Sequence, residues 1–281
     1  MTMAEGFFLP LSSGRVRVER FGDPRDRAVI CVHGISSNAR VFNPLRDALA
    51  AAGRHVVALD LRGRGLSEKS ELGTYGWARH ARDVFEVAAR LGVRSFDVVG
   101  HSMGAFVGMN AVALDDRRRI GKVVLIDGLG LPSPTAAAAL ARNATRLTWV
   151  FRNADEYIKA VQCLGLARPW NDHWDRHYRY EVEDHDGRGV RVRTKLGAVL
   201  EDTAYAATHP PRSLWPKISI PVLVLRASQS LSGSNGFIVT KHDLRDFLRA
   251  SRATTVQEID ANHFGIVMHD DALTAIRGFL C

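Results

Sequence analysis

Two kinds of apolar run alternate along the chain. Short ones read as strands: Ala28–Val32, continuous and rich in β-branched residues, suits a strand buried on both faces, and His55–Leu59 is the next strand. Longer ones, 41–52 ending at Gly53 and 77–91 stopping at Gly92, carry their apolar residues at helical spacing. Segments 7–11 and 16–20 flank Ser12-Ser13-Gly14 and read as a hairpin. Strand 96–99, helix 102–114 and strand 122–126 follow. Alternation of this kind predicts an α/β fold, a parallel sheet with helices on both sides. Right-handed crossovers then bring the strand ends, and any site, to one edge of that sheet.

The rhythm breaks after Gly130. An Ala-rich helical stretch gives way to His173-Trp174-Asp175-Arg176-His177-Tyr178, then to the turn signal Asp186-Gly187 and strand-like alternation over 190–193. Strand 222–225, helix 244–250, strand Thr254–Ile259 and helix 272–280 restore it. The expected organisation is one core domain, residues 1–130 and 217–281, with a largely helical cap, 131–216, inserted between two strands. His173, His177 and His185 have loose metal-like spacing, but an exposed polar face of the cap accounts for them more simply.

Composition narrows the class. With 281 residues, 46% hydrophobic and 24% charged, the chain suits one well-filled core plus a modest insertion. No apolar run reaches the ~18 residues needed to span a bilayer, and residues 1–10 lack a basic start followed by an apolar stretch, so a cytoplasmic protein is expected. The net charge of +8 raises nucleic-acid binding, yet the arginines are scattered and not gathered into a stripe with interleaved aromatics. Arg117, Arg118 and Arg119 are expected to close a helix, where cations suit the dipole. Cys31, Cys163 and Cys281 are too dispersed for a disulfide framework or a metal site, and Cys31 reads as a small buried residue.

The strongest chemical signal is Gly100-His101-Ser102-Met103-Gly104, a G-x-S-x-G run between a predicted strand and a predicted helix. A serine on so sharp a turn holds a strained backbone, and small residues on each side relieve the crowding. Its hydroxyl needs a base. Of eleven histidines, His263 stands best, in the loop between the last strand and the last helix. His101 adjoins the serine but is expected to point away. No carboxylate follows strand 222–225 until Asp243, so Asp127, at the end of strand 122–126, is the favoured third member, with Asp260 second. His33-Gly34-Ile35 follows a buried strand, and the amides of Ile35 and Met103 are the expected oxyanion donors. Ser36, Ser37 and Asn38 are read equally well as further contacts or as turn formers.

The combination of His33-Gly34, Asp60 through Ser67, the serine motif and Asn262-His263-Phe264, in that order, resembles the α/β-hydrolase superfamily over nearly the whole chain. The resemblance implies a mostly parallel eight-stranded sheet, a cap over the catalytic edge, and structural roles for Asp60 and Arg62. Its minority variant keeps the acid one strand earlier, as Asp127 would. The expected activity is hydrolysis of a carboxylic ester, lactone or thioester through an acyl-enzyme. Carbon–carbon bond hydrolysis and a ligand-binding protein with a vestigial site are the alternatives. No cofactor and no metal are called for. The expected partner is a small molecule, apolar or aromatic given Trp149, Phe151, Tyr157, Trp170, Trp174, Tyr178 and Tyr180 in the cap, although such residues also pack on one another. Neither nucleic acid nor membrane is expected, and a homodimer is compatible with the sequence.

Overall fold

The computed structural model describes residues 5–281. Strands β1 (Glu5–Leu11) and β2 (Gly14–Phe21) form the opening hairpin, followed by β3 (Ala28–Val32), α1 (Asn43–Ala51), β4 (His55–Leu59) and α2 (Trp77–Arg90). Next come β5 (Phe96–His101), α3 (Met103–Leu114) and β6 (Ile120–Ile126). They join a single eight-stranded sheet in the order β1-β2-β4-β3-β5-β6-β10-β11. Its last members are β10 (Val222–Ala227) and β11 (Thr254–Ile259), with α8 (Lys241–Ala250) between them and α9 (Asp270–Leu280) at the end. The six strands from β4 to β11 run parallel, and β2 alone runs against them, paired antiparallel with both β1 and β4. The α/β expectation holds, with strand bounds within about two residues.

Strand periodicity divides the core. Val222 and Val224 face a layer containing Val84 and Val87 of α2, Val107 of α3 and Phe247 of α8. Their neighbours Leu223 and Leu225 face the opposite layer, with Leu45 and Leu49 of α1 and Ile276 and Leu280 of α9. A strand with apolar residues on both faces fits only where both are covered, which is why β3, β4 and β10 are buried throughout, His55 and Arg226 included. Helix α3 is buried nearly all round, because it packs into the sheet beneath other helices.

Between β6 and β10 lie α4 (Pro134–Ala144), α5 (Ala154–Leu164), α6 (Asp172–Tyr180) and α7 (Leu196–Thr208). A small antiparallel sheet, β7 (Val150–Phe151), β8 (Val182–Asp184) and β9 (Val190–Val192), sits among them in the order β7-β9-β8. Aromatic contacts hold this segment together: Trp170 stacks on Tyr178 at 5.6 Å, and Tyr157 meets Tyr178 and Phe151 edge-on. Those rings therefore form an internal core, and the first claim on them is packing.

Several expectations need correcting. His173 and His177 are buried, not on an exposed polar face, because α6 turns them inward beside Trp174 and Tyr178. Among the described residues no three His, Cys, Asp or Glu side chains are placed to share a metal ion. Helix α1 begins at Asn43 and not at 41, since the side chain of Asn38 caps a separate 3-10 turn over Ala39–Phe42 and Pro44 suits a fresh helix start. Helix α3 ends at Leu114, so Arg117–Arg119 lie in the loop beyond it, with the Arg119 guanidinium 4.3 Å from the Phe85 ring centre. No helix among the described residues is long and apolar enough to cross a membrane.

The N-terminal edge of the parallel sheet is tied by buried charge. Asp97 accepts hydrogen bonds from Arg27 Nε (2.9 Å) and Nη2 (2.8 Å), from Arg54 Nη2, and from the Lys122 amide (2.9 Å). Arg54, itself buried, also donates to the carbonyls of Arg27 and Leu280, which anchors the last helix. Removing the carboxylate would strand a buried guanidinium, at a cost of about 3–5 kcal/mol. Asp97→Ala should therefore lower the urea unfolding free energy by that amount. A loss under ~1 kcal/mol would show that water reaches and solvates Arg54.

Candidate active site

The chain order places β3 next to both β4 and β5, so successive connections leave in opposite directions and open a crevice at the C-terminal strand ends. Ser102 sits there, on the turn from β5 into α3. Its backbone has φ 57° and ψ −121°, a conformation that non-glycine residues rarely adopt. The surroundings enforce it. The Ser102 amide donates to the Ile126 carbonyl at 2.9 Å. A Cβ on Gly104 would lie 1.9 Å from the Val32 carbonyl oxygen, and one on Gly100 would lie 2.2 Å from the Gly104 carbonyl oxygen. Only bare backbone lets α3 start so close to the sheet.

The imidazole of His263 lies beside this hydroxyl. Nε2 is 3.1 Å from Ser102 Oγ, and Nδ1 is 2.8 Å from Asp127 Oδ2. A carboxylate only accepts, so Nδ1 carries the proton and Nε2 is left to accept from the serine. The other Asp127 oxygen accepts the Ala227 amide at 3.1 Å, and the Asp127 amide donates to the Leu225 carbonyl at 2.8 Å. Asp127, at φ 42°, leaves β6 through the left-handed region and turns its side chain across β10 toward His263. Ala227, at the end of β10, presents a backbone donor to this carboxylate. Asp127 and His263 are both buried, so water competes little for their bond.

The other candidates fall elsewhere. Asp260 is exposed and accepts from Gln229 Nε2 at 3.1 Å, so its carboxylate is engaged at the surface. Asp60 accepts the Ala39 and Leu66 amides and the Tyr180 hydroxyl, and Arg62 pairs with Asp83 at 2.5 Å; both brace loops, as expected. Ser37 and Asn38 form turns, and Ser36 meets Arg146.

The loop 33–36 faces Ser102. A Cβ on Gly34 would lie 3.2 Å from Ser102 Cβ. His33 Nε2 accepts the Leu61 amide at 3.0 Å, so its proton is on Nδ1, which donates to the Gly34 carbonyl at 2.7 Å. In a trans peptide the N–H points opposite to the C=O, so this bond aims the Ile35 amide away from the His33 ring. Met103 opens α3, whose positive dipole end lies at Ser102.

Sequence comparison agrees with the geometry. The family described as the alpha/beta hydrolase fold matches residues 27–270, most of the chain. The chain is an α/β hydrolase. A 3-hydroxybutyrate-oligomer hydrolase of Cupriavidus necator is 32% identical to it over 236 residues, 79% of each protein. A serine hydrolase-like protein of Danio rerio is 32% identical over 181 residues, 63% of this chain, which spans half of that relative's length. Among solved structures, E-2-(acetamidomethylene)succinate hydrolase superposes with a TM-score of 0.84 at 23% identity, covering 99% of both chains, a likeness of fold.

Two residues of this α/β hydrolase have roles that the sequence did not show. His101 does not point away: its Nε2 donates to the His263 carbonyl at 2.9 Å and its ring lies 4.7 Å from the His263 ring, shoring up that loop from below. Asn262 accepts the Phe264 and Gly265 amides and donates to the Leu166 carbonyl at 2.8 Å, tying the histidine loop to the segment above it. Position beside Ser102 or His263 in the chain was the only signal either offered.

Burial drives the supporting histidines toward neutrality. It pushes His33 down to about 3 and His173 to about 4, and holds His101 and His177 well below the usual imidazole value. Their unfolded counterparts take up protons below about pH 6.5, so the unfolded state binds more protons and folding loses stability as pH falls from 6.5 toward 4. Asp60 and Glu181, raised by burial, act in the opposite sense once their own range is reached. Thermal midpoints measured from pH 7.5 to 5 should fall steadily below 6.5. The slope should flatten when His173→Gln and His177→Gln are combined, and an unchanged slope would exclude these two as its source.

Proposed function

We propose that this α/β hydrolase is a serine esterase acting on a carboxylic ester, lactone or thioester, with Ser102 as nucleophile, His263 as its base and Asp127 as the group that orients the imidazole. The unbroken chain of contacts Asp127–His263–Ser102, at 2.8 and 3.1 Å, carries the reading. Ser102 Oγ adds to the substrate carbonyl while its proton passes to His263 Nε2. The imidazolium is steadied by Asp127, and the oxyanion is received by the amides of Ile35 and Met103. The same proton then leaves with the alcohol or thiol, and water repeats the sequence on the acyl-enzyme.

The segment 131–216 serves as a cap. Ala136 and Ala139 of α4 meet Leu166, Leu231, Ile238 and Phe264 in an apolar cluster, and the Phe264 ring stands edge-on to His263 at 5.5 Å. An aliphatic wall beside the imidazole favours an apolar acyl or alcohol group, a better warrant than the aromatics, which are engaged with one another. The bacterial relative named for cleaving 3-hydroxybutyrate oligomers supports an ester, since hydroxy acids join through ester bonds.

Ser102→Ala should reduce nitrophenyl-ester turnover by at least ~10^3-fold, and Asp127→Asn by up to ~10^4-fold in kcat through the wrong imidazole tautomer. Asp260→Asn should change it by less than about threefold, since an exposed carboxylate held by Gln229 acts on nothing that reacts. A Ser102→Ala enzyme with full turnover would sink the assignment.

A further inference from the structure

Three consecutive carbonyls of the loop beside Ser102 are each held from behind by a buried basic side chain. Gly34 is held by His33, within the loop itself. The Ile35 carbonyl accepts Arg64 Nε at 2.9 Å, and the Ser36 carbonyl accepts Arg146 Nη2 at 3.0 Å. These two arginines reach outside the loop. Arg64, fully buried, forms an ion pair at 2.6 Å with Asp202 of α7, which also accepts the Gly76 amide at 2.8 Å and lies 2.9 Å from His80 Nε2. Arg146 lies in the 3-10 turn after α4 and shares Nη2 with Glu181 at 3.0 Å, while the other Glu181 oxygen accepts the Tyr157 hydroxyl. Asp202, Arg146, Glu181 and Tyr157 all belong to segment 131–216.

Because each peptide unit is rigid, a carbonyl pulled one way sends the amide of the next residue the other way. Pulling Ile35 and Ser36 carbonyls toward Arg64 and Arg146 fixes the planes on the C-terminal side of the Ile35 amide, as His33 fixes the one that contains it. Charge-assisted bonds in a buried setting are the strong ones, so the loop has little freedom while both carboxylates hold their arginines. Arginines serving only to join the two segments could end on any surface group. Both end on adjacent carbonyls of one short loop.

We propose that Arg64 and Arg146 are positioning residues that couple the seating of segment 131–216 to the alignment of the oxyanion loop. The proposal rests on the reading of the Ile35 amide as an oxyanion donor. The two arginines work differently. Arg64 donates Nε to the Ile35 carbonyl and Nη1 to the Arg62 carbonyl, while Nη2 lies 2.6 Å from Asp202 as an ion pair without hydrogen-bond geometry, a spread of contacts that the single ammonium of lysine cannot reproduce. The hydrogen bonds of Arg146 leave from Nη2 alone, and its Nε and Nη1 are buried with no hydrogen-bond partner among the described residues. A single ammonium with three donors can take over that point.

The test compares Arg146→Met, Arg146→Lys and Arg64→Lys in nitrophenyl-ester kinetics and in inhibition by an aryl trifluoromethyl ketone. Ser102 Oγ adds to that ketone's carbonyl carbon, the hydroxyl proton passes to His263, and the carbonyl oxygen becomes an oxyanion seated in the same loop. Arg146→Met and Arg64→Lys should lower kcat about 10- to 100-fold with KM within about threefold, and weaken the inhibitor by the same factor as kcat. Arg146→Lys should recover to within about fivefold of the parent enzyme. If Arg146→Met does not fold, as judged by circular dichroism and thermal midpoint, Glu181→Gln is measured with the same two readouts and the same expected direction. Folded variants with unchanged kcat and inhibitor affinity would overturn the proposal, as would a lysine no better than methionine at position 146. Full turnover by Ser102→Ala would instead bring down the esterase reading beneath it.

Discussion

The close approach of α3 to the ends of β3 and β5 is the constraint from which the site follows. Gly104 lies so near the Val32 carbonyl that no side chain fits between them, and Gly100 stands in the same relation to Gly104. Ser102, caught between strand and helix, has no relaxed backbone open to it and takes φ 57°. Such strain costs of order 1–3 kcal/mol, which the rest of a well-packed sheet can absorb. The hydroxyl is thereby lifted out of the sheet at the strand-order reversal, on the edge where β6, β10 and the loop after β11 also end.

Charge is handled in a consistent way throughout. A minority of the arginines is turned inward onto acids: Arg54 with Asp97, Arg62 with Asp83, Arg64 with Asp202 and Arg146 with Glu181 are all buried pairs. Pairs of this kind contribute little net stability, because desolvation offsets most of the attraction. What they supply is direction. Each guanidinium has fixed donor angles, so a buried arginine specifies which carbonyl it meets and where. Asp97 and Arg54 lock the strand starts, while Arg64 and Arg146 reach the loop at the strand ends.

How much of this was legible depended on range. The strands were readable because β-branched runs of five or six residues between turn signals leave few alternatives, and β3, β4 and β11 coincide with the ranges read from sequence. Ser102 was readable because its neighbours in sequence are also the residues that relieve its crowding. Asp127 was found by elimination once no carboxylate followed strand 222–225, and the geometry puts it against His263 where Asp260 is turned to solvent. His173 and His177 were misread because one helix turn of polar and aromatic residues does not say which face is covered. The orientation of His101 was misread and the role of Asn262 was not seen, since their partners, the His263 and Leu166 carbonyls, are backbone groups with no sequence signature.

The sequence by itself determined the alternation of strand and helix, the sharp turn at position 102 and the residue types gathered near it, since these depend on contacts within a few positions along the chain. Tertiary structure alone decided which carboxylate meets His263, which histidines are buried and which arginines reach the loop beside Ser102. Those pairings join residues dozens to more than a hundred positions apart, and a change of register or packing of a few ångströms would replace every partner.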